Sequence, residues 1–285
     1  MSIDPVLNAH VTRSFAQLRR EAAGNFPAAA SLSTALNAAV TPNSKTAYAV
    51  NLRPVVAAMF PKAGVDVWMR AVHSFLVSAA LTDVSPIWAS VSGYYSSHYS
   101  VRALAHILGF FQLFGAKQTV QLDMSGSQLL CTFSPKTRQD REHRIYWKVV
   151  KSHPSFVNDA LFTENDSNGD PSDAGHRDRA NYIDFLQNFP TFQPLDRNQV
   201  VQRIERISNI EFTAPPIPSA SRFPDIDSVQ IMAYHRLVKF RDLLDEILGG
   251  VNRFWNVNRN PPWAREFIDY QLVDSRLDPS RVASH

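Results

Sequence analysis

One cysteine, Cys131, is all the thiol chemistry this chain of 285 residues has. That excludes an intramolecular disulfide framework and any zinc site built on several thiolates. A chain so poor in cysteine fits a reducing, cytoplasmic setting. Long apolar runs are also missing. The most apolar stretch, Val101 to Ala116, contains Arg102 and His106 and is shorter than the roughly 20 residues a bilayer requires, so no membrane span is expected. The first residues, MSIDPVLNAHVTRSF, lack the basic start and apolar core of an export signal. There is no glycine-rich phosphate loop, no dinucleotide fingerprint and no metal-binding His-Glu pair, so neither a cofactor nor a metal is expected. Asp166, Asn168 and Asp170 have calcium-loop spacing, but Pro171 and Arg177 stand where such a loop needs Gly and a bidentate Glu.

What is present is ordinary globular material. Hydrophobic residues make up 45% and charged residues 19%, and a chain of this length can bury roughly 70–75% of its unfolded surface. The net charge of +3 is unevenly spread. Residues 1–150 carry 14 Lys and Arg against 7 Asp and Glu, a net of +7, and the remainder carries 15 against 19, a net of −4. A basic half and an acidic half imply a directional electrostatic surface.

Periodicity predicts a mainly α protein with a small antiparallel sheet inserted. Val11–Ala22 has helical spacing, and Pro61-Lys62-Ala63-Gly64 reads as a stop. Asp66 then caps a helix to about Leu81, and after a short loop a long helix runs from Pro86 to about Phe114, packed antiparallel to the first. Gln118–Asp123 and Gln128–Phe133 alternate about Met124-Ser125-Gly126-Ser127 and read as a hairpin, with Cys131 as a buried strand residue. His143–Val150 alternates too and reads as a third strand, with Tyr146 outward beside Arg144 and Lys148 and Trp147 in the core. Residues 163–175 are loop by composition. Helices follow over Arg177–Phe189, from a cap at Asp196 to about Ser208, and from Asp227 to about Trp255. The last should bury Ile231, Tyr234, Leu237, Leu244, Ile247 and Leu248. The domain reading is an N-terminal helical extension over 1–63, a helical bundle over 64–275 with a β insertion at about 116–151, and a tail over 276–285.

Two places carry candidate chemistry. On the long helix, His98, Arg102 and His106 recur at spacing four, next to a packing stripe of Tyr95, Tyr99, Ala103 and Ile107. An arginine between two imidazoles can hold a phosphate while a histidine moves protons, so these three are the candidate catalytic residues. The bland alternative is a wet or individually satisfied helix face. The second place is Lys136–Lys151. There Lys136, Arg138, Arg141, Arg144, Lys148 and Lys151, offset by Asp140 and Glu142, are interleaved with His143, Tyr146 and Trp147. Cations attract phosphate and an exposed Tyr146 could stack on a base, so these are the candidate nucleic-acid contacts.

The run Tyr94-Tyr95-Ser96-Ser97-His98-Tyr99-Ser100-Val101-Arg102-Ala103-Leu104-Ala105, after the helix Ala71–Ala80, resembles the first helix pair of HEPN-type domains. The stretch His176-Arg177-Asp178-Arg179-Ala180-Asn181-Tyr182 resembles that family's Arg-x-x-Ala-(Asp/Asn)-Tyr segment, and the length and insertion resemble the larger YaaC-like members. The resemblance implies a dimeric bundle of four or more helices. Many members are metal-independent endoribonucleases of toxin or antiviral defence systems, using an Arg-Asn-x-x-x-His motif. Here Arg197 and Asn198 open such a motif, but Gln202 stands in place of the histidine and cannot serve as acid or base. Two functions therefore stand as expectations. One is an RNA-associated HEPN-like ribonuclease, and the other is an inactive helical module that binds RNA or a protein.

Overall fold

The computed structural model describes residues 29–113, 115–123, 130–137, 142–162, 173–183, 194–211 and 225–248. The expected helix over Val11–Ala22, the hairpin turn, Asp166 to Asp170 and everything after Leu248 lie outside them. The described protein is mainly helical with one small antiparallel sheet. The chain forms two compact units. Unit 1 comprises Met1–Val67 with Val101–Asn158, and unit 2 comprises Trp68–Ser100 with Asp159–His285.

Unit 1 holds helix α1 (Ala29–Asn37), strand β1 (Tyr48–Asn51), the opening of α2 (Pro54–Leu81) and the end of α3 (Pro86–Ile107). Strands β2 (Phe110–Leu113), β3 (Gln118–Asp123) and β4 (Leu130–Pro135) and helix α4 (Glu142–Ser152) complete it. The sheet runs β1-β4-β3-β2 with every pair antiparallel. The expected hairpin is β3–β4, with Val120 opposite Phe133 and Leu122 opposite Cys131. Because side chains alternate, Phe111, Leu113, Val120, Leu122, Cys131 and Phe133 share one face, and they bury against Leu32, Leu36 and Phe60. Thr119, Gln121, Thr132 and Ser134 fall on the other face.

Four local expectations are corrected here. The segment before residue 63, expected to be helical, contributes β1. Its Tyr48 ring stacks on Phe133 at 5.2 Å, a pairing set by a strand more than 80 residues away. Helix α2 does not stop at Pro61–Gly64 but continues through both residues, and Asp66 lies inside it. Proline removes one ladder bond, whereas burial of Phe60, Ala63, Val65, Val67 and Trp68 holds the helix on either side. Helix α3 ends at Ile107, not Phe114. Gly109 takes φ 79°, a left-handed turn suited to glycine, and the chain re-enters as β2. All four β2 residues are buried, so no alternation marks it as a strand. Finally, His143–Val150 is helix α4. Its buried residues Tyr146, Trp147 and Val150 recur at three to four, while Arg144 and Lys148 lie outside at spacing four. Ile145, Trp147 and Val149 also fit a period of two, and over eight residues both readings are open.

Unit 2 holds most of α2 and α3, a 3-10 turn (Ala160–Phe162) and α5 (Asp173–Asp178), which continues into a π-helix (Arg179–Ile183). Helices α6 (Arg197–Ser208) and α7 (Ile226–Leu248) complete it. The helix expected from Asp196 is α6, with the Asp196 carboxylate accepting from the Asn198 backbone N–H at 2.9 Å. Helix α7 packs on α2. The Trp68 Nε1–H donates to the Leu237 carbonyl at 3.1 Å, Trp68 stacks with Phe240, and Phe75 lies against Tyr234. Of the expected α7 stripe, Tyr234 and Leu237 are buried and Ile231 is half-buried. The side chains of Leu244, Ile247 and Leu248 lie outside the described set.

Helices α2 and α3 approach closely because the contact positions are small. In unit 1 a Cβ on Gly64 would stand 2.9 Å from the Ala103 carbonyl oxygen. In unit 2 a Cβ on Gly93 would stand 2.7 Å from the Val229 methyl and 3.1 Å from Ser78 Oγ. Serines there bond across the gap, Ser96 to the Ala71 carbonyl at 2.8 Å and Ser78 to the Ala89 carbonyl at 2.6 Å. Gln230 of α7 donates to Ser78 Oγ and Thr82 Oγ1.

Glycine to alanine inside a helix ordinarily stabilises by about 0.5–1 kcal/mol. Gly64→Ala should do the reverse, because the obstructing atom is a backbone oxygen. A loss of about 1–3 kcal/mol in urea unfolding is expected. Gly115→Ala, with nothing within 4 Å of its Cβ position, should stay within about 0.5 kcal/mol of wild type.

Candidate functional site

The three residues of the His98–Arg102–His106 stripe divide between the two units, Ser100 being the last α3 residue of unit 2. His98, in unit 2, is 2% exposed, with its ring against Tyr94 at 6.1 Å and Tyr99 at 5.7 Å. Arg102 and His106 are brought together in unit 1. The Arg102 Nε–H donates to His106 Nε2 at 3.4 Å, and on the other side His106 Nδ1 meets the Phe110 carbonyl at 2.8 Å. A carbonyl only accepts, so the proton sits on Nδ1 and Nε2 is the acceptor for Arg102, and one neutral tautomer satisfies both bonds. The ring is wholly buried, stacked on Phe111 at 5.0 Å and edge-on to Tyr146 at 5.9 Å. The Arg102 guanidinium lies 5.3 Å from the centre of the same Tyr146 ring.

This setting opposes a charge on the imidazole. Burial comes first and the Arg102 charge second, and together they lower the His106 pKa to about 3 despite the Phe110 bond. Near pH 7 His106 is a neutral hydrogen-bonding bridge between the end of α3 and β2. General acid–base work near neutrality calls for a pKa near the working pH, which this arrangement does not supply. The Cys131 thiol, pushed up to about 12 by burial, is no nucleophile either.

The basic segment divides differently. Arg138 and Arg141 lie outside the described residues. Lys136 follows β4 and is half-buried. Arg144 and Lys148 are exposed on α4, one turn apart, and Lys151 is half-buried three residues on. Tyr146, expected to share an exposed face with Arg144 and Lys148, is 0% exposed, because the helical turn carries it inward beside Trp147. Neither Arg144, Lys148 nor Lys151 has a carboxylate within salt-bridge reach among the described residues, whereas several cations of unit 2 are paired. Arg203 and Arg206 share Asp227 at 3.0 and 2.7 Å, and Lys239 meets Asp159 at 2.8 Å. Arg236 meets Asp173 at 2.5 Å, with both side chains buried.

Counted by unit, the charge asymmetry sharpens. Unit 1 carries 14 Lys and Arg against 6 Asp and Glu, a net of +8, and unit 2 carries 15 against 20, a net of −5.

Two further features were less visible in the sequence. The Tyr94–Tyr95 run and the Arg177 segment meet in unit 2, with the Arg177 guanidinium 4.6 Å from the centre of the Tyr94 ring and bonded to Asp178. Arg236, within the apolar stripe of α7, is 1% exposed and also donates to the Leu161 carbonyl at 2.7 Å. Of the Arg197–Asn198–Gln202 motif, Arg197 opens α6, and Asn198 and Gln202 are exposed. Among the described residues no group of three or more His, Cys, Asp or Glu is disposed to hold a metal ion, and no helix is long and apolar enough to cross a membrane. Comparison of the chain with family models, with curated proteins and with solved structures finds no match.

The buried imidazole generates a pH dependence of stability. In the unfolded chain it takes a proton near pH 6.5, and in the folded chain only near 3. Between these values the unfolded state binds more protons, so acid favours unfolding. From pH 7 to pH 5 this group should remove about 2 kcal/mol of stability. Urea unfolding of wild type and His106→Gln at both pH values should show that loss only in the wild type. An equal loss in both would dismiss this role for His106.

Proposed function

We propose that this chain is an RNA-associated helical binding module that holds RNA without cutting it, built in the manner of a HEPN-like domain whose chemistry has been lost. The segregation of charge carries the reading. A compact unit of net +8, whose outer α4 face carries cations that meet no carboxylate among the described residues, attracts a polyanion, while its acidic neighbour in sequence does not. Two features favour binding over cleavage. His106 is engaged on both ring nitrogens and neutral, and Gln202 occupies the place of the motif histidine. A free His106, or a histidine at position 202, could otherwise have served as a proton carrier of a metal-independent nuclease.

Fluorescence anisotropy with a labelled RNA pool should show binding at 50 mM salt that weakens at least tenfold by 200 mM, the signature of released counterions. The same pool held in EDTA should stay intact. No binding at 50 mM salt would refute the RNA association. Cuts with cyclic phosphate ends, lost in Arg102→Ala and His106→Ala, would refute the loss of chemistry and restore the nuclease.

A further inference from the structure

We infer that the outward face of α4 docks on the phosphate backbone of double-stranded RNA and does not read its sequence. This rests on the RNA-associated function proposed above and specifies its ligand.

The argument is in what α4 shows and what it hides. Arg144, Lys148 and Lys151 recur at i, i+4 and i+7, so their charges line one side of the helix over about 10 Å of its length. None of the three has a carboxylate partner among the described residues, and Glu142 is the sole acidic residue of the helix, in its first turn. Those charges are therefore available to an external anion. The tyrosine and tryptophan of the same helix are withdrawn. Tyr146 is buried against Phe110 and His106, and Trp147 is 1% exposed. Proteins that hold single strands set aromatic rings under unstacked bases, and each ring adds about 1–3 kcal/mol per base. Helix α4 offers phosphate attraction with neither its tyrosine nor its tryptophan as such a platform. A purely ionic surface favours the target of greatest charge density, and a duplex presents two backbones in fixed register. In an RNA duplex the base edges of the deep, narrow groove are closed to side chains, so a cationic helix meets phosphate there and no sequence.

The test measures binding of the full chain to a 16-base-pair RNA duplex, to each of its strands alone, to a duplex of unrelated sequence and to the matching DNA duplex, across 50–200 mM salt. The RNA duplex should bind at least tenfold more tightly than either strand, with the two sequences within threefold. Arg144→Ala/Lys148→Ala/Lys151→Ala should lower the slope of log affinity against log salt by two to three, as expected for about three lost phosphate contacts. Arg144→Lys/Lys148→Arg/Lys151→Arg should keep the wild-type slope, which separates lost charge from a damaged fold. Lys45→Ala/Arg53→Ala, exposed cations of the same unit, should change affinity less than threefold.

Strands bound as tightly as the duplex, a tenfold sequence preference or tighter binding of DNA would each overturn the inference. So would a wild-type slope in the triple alanine variant, which would leave RNA association standing and remove α4 as its seat. Absence of binding to every form of RNA would instead refute the proposed function itself.

Discussion

The close approach of α2 and α3 is the constraint on which the rest of the structure depends. It is possible because bulk is missing where the helices touch. Gly64 faces the Ala103 carbonyl, and Gly93 faces Ser78 and the Val229 side chain. Helices brought so near leave little space for water, so polar groups at the contact must find partners within the protein. Ser78 and Ser96 do this by donating across the interface to backbone carbonyls, and Gln230 joins Ser78 to Thr82. A larger apolar residue would add buried area but push the helices apart. Trp68 could not then hold both the Leu237 carbonyl and the Phe240 ring without a shift of α7.

The same constraint fixes the corner where α3 gives way to the sheet. Gly109 turns the chain, and the first strand residue, Phe110, turns its carbonyl to His106. The imidazole answers with one nitrogen and accepts from Arg102 with the other. Tyr146 of α4 closes over both. Histidine and arginine one helical turn apart suggest proton and phosphate chemistry in a sequence. Here the same spacing builds a neutral bracket joining helix, strand and α4. Burial decides between the two uses, since a wholly buried imidazole beside a guanidinium keeps its two bonds by staying uncharged.

Legibility followed the range of the interactions involved. The β3–β4 hairpin, the Asp196 cap and the starts of α3 and α7 are local matters of alternation and capping, and the chain displays them openly. Strand β1 exists only through β4, far away in sequence, and its Tyr-Ala-Val-Asn is too short to announce itself. Strand β2 is buried on both faces and reads as more of α3. The continuation of α2 through Pro61 depends on packing on both sides of the proline, and packing overrides a local stop signal. In α4, eight residues rich in Ile, Val and aromatics satisfy two periods, and only burial of Tyr146 separates them. The arginine–histidine contact was foreseeable from spacing. Its solvation was not, because solvation is set by β2 and α4, the two elements misread.

Charge shows how folding can sharpen a weak signal. Cut at residue 150, the chain divides +7 and −4, which could be composition alone. Cut where the compact units divide, it separates +8 and −5. The residues exchanged between the two counts include Asp83 and Arg70, which pass to the acidic unit. Pairing deepens the contrast. In unit 2, Arg203, Arg206, Arg236 and Lys239 each engage a carboxylate, so much of their field is cancelled at short range. In unit 1, Arg144, Lys148 and Lys151 of α4 meet no carboxylate among the described residues. Like charges held one turn apart repel, at a cost of a few tenths of a kcal/mol per pair, and nothing in the packing of α4 requires them. Its buried face is complete with Ile145, Tyr146, Trp147 and Val150. An anion laid across the three charges would relieve that repulsion, which is the physical basis of the contact proposed for α4.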